Sequence, residues 1–94
     1  MKKVNLPFHF HHKIYVAEVS KIDVSSPIRY TAYILDDQLR SEFHDISFFQ
    51  ENNASPLVAT DSSTDEEKYL KEILLQRIIN QNQFFDPYEH YSPF

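Results

Sequence analysis

Ninety-four residues, a formal net charge of −5 from fourteen acidic against nine basic side chains, and no cysteine bound what this chain can be. The length fits one domain, and the missing cysteines exclude a disulfide framework, a thiolate metal site and a cysteine nucleophile. An acidic balance with unclustered basic residues is the wrong arrangement for gripping a phosphate backbone, so nucleic acid is not an expected partner.

The first residues, Met1 to Pro7, carry the lysines of a leader peptide, but Phe8-His9-Phe10-His11-His12-Lys13 stands where an uninterrupted apolar stretch would be needed. No apolar run approaches the ~20 residues that cross a bilayer. A cytoplasmic protein with no membrane partner is the expectation. From Phe8 to Ile22 aromatic and β-branched residues alternate, which reads as strand. The phase break at His11-His12-Lys13 favours a hairpin there over one long strand. Glycine is absent from the whole chain, so any position with positive φ must fall on Asn, Asp, His or another tolerant residue. The same absence removes the glycine-built phosphate-binding motifs.

Asp23 to Pro27 predicts a turn, and Ile28 to Leu35 a second strand run with Ile28, Tyr30, Ala32 and Ile34 on one parity. Asp36-Asp37-Gln38 predicts another turn. A further strand is expected within Leu39 to Gln50, centred on His44 to Phe49, and Leu57 to Thr60 reads as a short edge strand. Short polar connections favour antiparallel pairing. A helix is expected from about Thr64 to Asn82: Ser63 with Glu66 fits a capping box, Asp65, Glu66 and Glu67 suit the positive end of the helix dipole, and Leu70, Ile73, Leu74 and Ile78 follow at helical spacing. Glu67 and Lys71 add an i, i+4 pair. The fold class is therefore α+β, a three- or four-stranded antiparallel sheet packed on one long helix in β-β-β-α order. Residues 1–83 form the domain, and 84–94 an aromatic extended tail in which Pro87 and Pro93 deny a regular helix or central strand.

His9, His11 and His12 form the most obvious chemical cluster, with imidazole nitrogens suited to zinc and His44, Asp45 or His90 as further ligands. An H-x-H-H pattern without a matching second cluster has low specificity, and exposed strand histidines explain it better; no metal or other cofactor is expected. His44-Asp45 with a serine supplies the parts of a catalytic triad, but neighbouring strand residues point to opposite faces. Asp36-Asp37 and Asp65-Glu66-Glu67 fit turn and helix-start roles.

The apolar residues on both strand parities are more informative. Tyr15, Ala17, Tyr33, Leu35, Phe43 and Phe49 alternate against Ile14, Val16, Ile34, Ile46 and Phe48, with the sharing of faces left to register. One helix covers one face, so aromatic residues on the other imply a cover: the chain's own tail, a second copy or another protein. The expected function is a non-enzymatic interaction module that binds itself or another protein through Tyr33, Phe49, Phe84, Phe85, Tyr88, Tyr91 and Phe94. The alternatives are a small metal protein or enzyme using His9, His11 and His12, and an acidic inhibitor or mimic that binds a basic surface.

Overall fold

The computed structural model describes residues 2–24, 26–52 and 54–81. The chain runs β1 (Lys2–Phe10), β2 (Lys13–Ile22), β3 (Ile28–Ile34), α1 (Asp37–Phe43), β4 (Ile46–Gln50), β5 (Val58–Ala59) and α2 (Asp65–Ile79). The strands form one sheet in the order β1-β2-β3-β4-β5, with every neighbouring pair antiparallel. This is a small α+β fold, with five strands where three or four were expected and a second helix between β3 and β4. No helix among the described residues is long and apolar enough to cross a membrane.

The extra length of β1 was masked by its outward positions. Val4, Leu6, Phe8 and Phe10 are buried in strict alternation, while Lys3, Asn5, Pro7 and His9 between them are exposed. Lysine, asparagine and proline are depleted from strands, but an edge strand tolerates them on its free side. Pro7 has no N–H to lose there, and its carbonyl accepts a hydrogen bond from Nε of Arg77 at 2.9 Å. That bond ties the end of α2 to the sheet edge.

The hairpin turn lies at His11-His12, where φ is +49° and +66° and Phe10 pairs with Lys13. A two-residue turn with both φ values positive matches the right-handed twist of its strands. In a chain without glycine the histidines take those positions.

The expected turn at Asp36-Asp37-Gln38 is the start of α1. Oδ2 of Asp36 accepts from the Leu39 amide at 3.1 Å and caps the helix. Leu39, buried, and Phe43, half-buried, anchor it at i, i+4 spacing. Accordingly, β4 begins at Ile46, and His44, expected within that strand, instead ends α1 by donating its amide to the Arg40 carbonyl at 2.6 Å. His44 stands at φ +59°, ψ −164°, a region that Cβ makes costly for any residue but glycine. Relief of about 1–3 kcal/mol of strain, less the about 0.5–1 kcal/mol of extra chain entropy glycine loses on folding, predicts that His44→Gly stabilises the protein by about 1 kcal/mol. A urea midpoint at or below that of the native sequence contradicts this.

α2 starts one residue later than expected: Thr64 is the N-cap, its Oγ1 accepting from the Glu67 amide at 3.1 Å, and Glu67 reaches back to Ser63. Leu70, Leu74 and Ile78 lie fully buried against the inner sheet face with Leu6, Phe8, Val19, Tyr30, Ile34, Ile46 and Phe48. At the hairpin end Phe10 packs edge-on against Phe43 and lies beside Tyr69, both ring pairs 5.8 Å apart, which joins the sheet to both helices.

Candidate docking surface on the outer sheet face

The alternation that fills the core also determines what points away from it. With Phe10 opposite Lys13, the even residues of β1 share a face with the odd residues of β2. Tyr15, Ala17 and Val19 therefore face α2, and Ile14, Val16 and Ile22 face outward. The pairings Glu18 with Tyr33 and Arg29 with Phe49 continue the assignment across β3 and β4. Phe48 and Phe49 point to opposite faces in regular pairing: Phe48 pairs with Ala59 inside, and Phe49 with Val58 outside.

The outer face consists of three bands. At the hairpin end, Ile14, Val16, Tyr33 and Leu35 form an apolar patch, with the Leu35 amide donating to the Val16 carbonyl at 2.9 Å. A polar band follows, in which Ser20, Thr31 and Ser47 are paired in register. The third is the row Ile22, Arg29, Phe49 and Val58, one residue from each of β2 to β5, directly paired strand to strand. Ile14 is 66% exposed, Leu35 46%, Tyr33 41%, Phe49 37% and Val58 57%. Beyond the third band, Phe49 and Val58 line a mostly apolar groove of about 470 Å³ with Pro27, Pro56, Ser55, Gln50 and Glu51.

Charge on this face is sparse and mostly paired. Lys3 lies 3.7 Å from Glu18. The Arg40 guanidinium sits over the Tyr33 ring at 4.7 Å and donates to the Ile34 carbonyl at 2.9 Å. Its hydrogen bond to Asp37 holds its proton more tightly than usual. Tyr33 is thus braced on one side and open on the other.

Tyr33 and Phe49, both expected to mediate interaction, lie on this face, one in each apolar band. Phe84, Phe85, Tyr88, Tyr91 and Phe94 lie outside the described residues. Ile14, Val16, Ile22, Leu35 and Val58 complete the surface. A two-residue hairpin loop was the signal that would have assigned the first three to it.

Other chemistry is scarce. His9 projects from β1 while His11 and His12 occupy the turn, where Nε2 of His11 lies 3.7 Å from Glu66. Among the described residues no group of three or more His, Cys, Asp or Glu is placed to hold a metal. The buried polar groups are used by the scaffold. The Tyr30 hydroxyl donates to Oε1 of Gln50 at 3.4 Å, and Nε2 of Gln50 donates to the Ser55 carbonyl at 2.8 Å. Burial, with a lesser push from Asp23, drives the Tyr30 phenol up to about 12, so it stays protonated at neutral pH.

Comparison with known proteins finds no match to a family model, to a curated protein or to a solved structure. The outer face must be interpreted from its own chemistry.

Proposed function

We propose that this chain is a non-enzymatic protein-interaction module that docks, on a second copy or on another protein, through the outer face of its sheet. The observation that carries the reading is the open apolar surface of Ile14, Tyr33, Leu35, Phe49 and Val58. An antiparallel sheet with one face on a core ordinarily turns a polar face to water. Exposed apolar patches rimmed by polar residues mark interaction surfaces, and Tyr33 with Arg40 stacked on it brings together two residue types enriched at binding hot spots. The mix of Lys3, Glu18 and Arg29 on the face favours apolar docking over capture of a strongly basic partner.

Leu35→Glu tests the reading without threatening the core, since Leu35 projects outward at the end of β3. The expected result is loss of self-association in sedimentation equilibrium, or loss of proteins retained by the native chain, with the melting temperature preserved. If native and Leu35→Glu chains are the same monomer from micromolar to millimolar concentration and retain the same proteins, the outer face is not a docking surface.

A further inference from the structure

Along β3 the outer face has matching chemistry on the two sides of Thr31, which sits in the polar band between Ser20 and Ser47. Arg29 and Tyr33 stand two residues to either side of it, and Pro27 and Leu35 four residues to either side. Arg29 is an exposed cation whose guanidinium is able to stack on an aromatic ring, and the exposed ring of Tyr33 is open on the side away from Arg40. Leu35 is an exposed apolar side chain, and Pro27 lines the groove shared by Phe49, Val58 and Glu51. Each feature on one side of Thr31 is thus the counterpart of the feature at the same distance on the other.

A two-fold axis turns that pattern into an interface. A half-turn about an axis that runs between two stacked sheets, crosses the strands at right angles and passes Thr31 lays a second copy on the first with the strands antiparallel. Arg29 then meets Tyr33 of the second copy, and Glu18, paired directly with Tyr33, offers the same cation a carboxylate. Leu35 meets the groove at Pro27, and Thr31 meets its own copy, hydroxyl to hydroxyl. A two-fold running along β3 instead stacks Arg29 on Arg29, so like-charge repulsion decides against it. The area is sufficient. From Pro27 to Leu35 the face is about 27 Å long at ~3.4 Å per residue, and four strands are about 19 Å wide. Two such faces cover about 1,000 Å² between them, the size at which specific interfaces begin. A foreign partner would need to supply both halves of each contact, whereas a second copy brings both.

We propose that the chain forms a two-fold dimer by stacking outer sheet faces with antiparallel strands, Arg29 of each copy lying on Tyr33 of the other and Leu35 of each entering the groove beside Pro27 and Phe49 of the other. This rests on the reading of the outer face as a docking surface and names its occupant.

Complementation tests the arrangement in the full chain. Leu35→Glu and Phe49→Lys are each expected to be monomeric in sedimentation equilibrium at concentrations where the native chain is a dimer, because each sets an unmatched charge in both copies of the contact. Mixed in equal amounts, they are expected to form a one-to-one dimer. In it the two introduced charges face one another across one contact, and the other contact is native. Stacking about the other axis gives no such rescue, since it never brings positions 35 and 49 together. Arg29→Glu, on the surface of β3, is expected to weaken self-association at least about tenfold, because it removes the cation from Tyr33 and sets a carboxylate beside Glu18. A native chain that stays monomeric to millimolar concentration, a mixture that stays monomeric, or an Arg29→Glu chain that associates as the native one does overturns the proposal. If one of these occurs while Leu35→Glu still abolishes association or loses the proteins retained by the native chain, the docking surface stands and only its occupant or arrangement is wrong. If Leu35→Glu is also without effect, both fall.

Discussion

Leu74→Ala is expected to destabilise the domain by about 2 to 5 kcal/mol, and Ile78→Ala by a similar amount. Both side chains are completely buried between α2 and the inner sheet face. Each truncation removes apolar contact and leaves a void that the surrounding β-structure fills only in part. For a domain of this size the loss is a large share of the 5–15 kcal/mol that separates folded from unfolded chains. Lys68→Ala and Glu72→Ala, at exposed positions of the same helix, are expected to stay within about 0.5 kcal/mol of the native protein. Urea unfolding followed by circular dichroism measures all four. Equal shifts at buried and exposed positions would mean that α2 does not present this face to the sheet.

The contrast between α2 and α1 shows how far the residues speak for themselves. α2 has four turns, three acids in its first turn and a stripe from Leu70 to Ile78, so several local signals agree. Its start is displaced by one residue because Ser63 and Thr64 each have a glutamate three positions on, and Thr64 prevails with Glu67 also paired to Lys71. α1 has only seven residues, and its cap, Asp36, is the residue type that equally begins a turn. Leu39 and Phe43 make sense as a pair only once β3 and β4 leave a gap above the core for them. In β1, Lys2, Lys3, Asn5 and Pro7 conceal Val4 and Leu6, because composition suggests coil while alternation, counted alone, gives strand. The docking face depends on register: Tyr33 and Phe49 stand out as aromatic residues on the parity opposite the core, but Ile14 and Val16 join them only because the turn contains two residues. One residue more would send Tyr15 and Ala17 outward.

Lys71→Met is expected to cost about 3 kcal/mol, far beyond the few tenths of a surface i, i+4 pair. Lys71 is only 5% exposed. Its ammonium group donates to the Thr60 carbonyl at 3.2 Å, to Oγ1 of Thr60 at 3.0 Å and to the Asp61 carbonyl at 2.8 Å, and it lies 3.0 Å from Oε1 of Glu67. The side chain thus pins the segment that follows β5 to the first turns of α2. Methionine preserves the packing of the aliphatic stem but leaves three acceptors and a carboxylate without the donor they share, and orphaned groups of this kind cost about 1–3 kcal/mol each before water reaches them. Acid titration gives an independent check. The hydrogen bond from Lys71, followed by that from Ser63, holds the Glu67 carboxyl below its usual range. A carboxyl whose pKa is depressed by folding contributes stability that is fully present above its unfolded pKa and is lost as pH falls through its folded value. Urea midpoints of the native protein should therefore fall from neutral pH toward about pH 3 more steeply than those of Lys71→Met, which lacks the main cause of that depression. A Lys71→Met protein that loses only a few tenths of a kcal/mol and keeps the native acid slope would show that the pin contributes no more than an exposed ion pair.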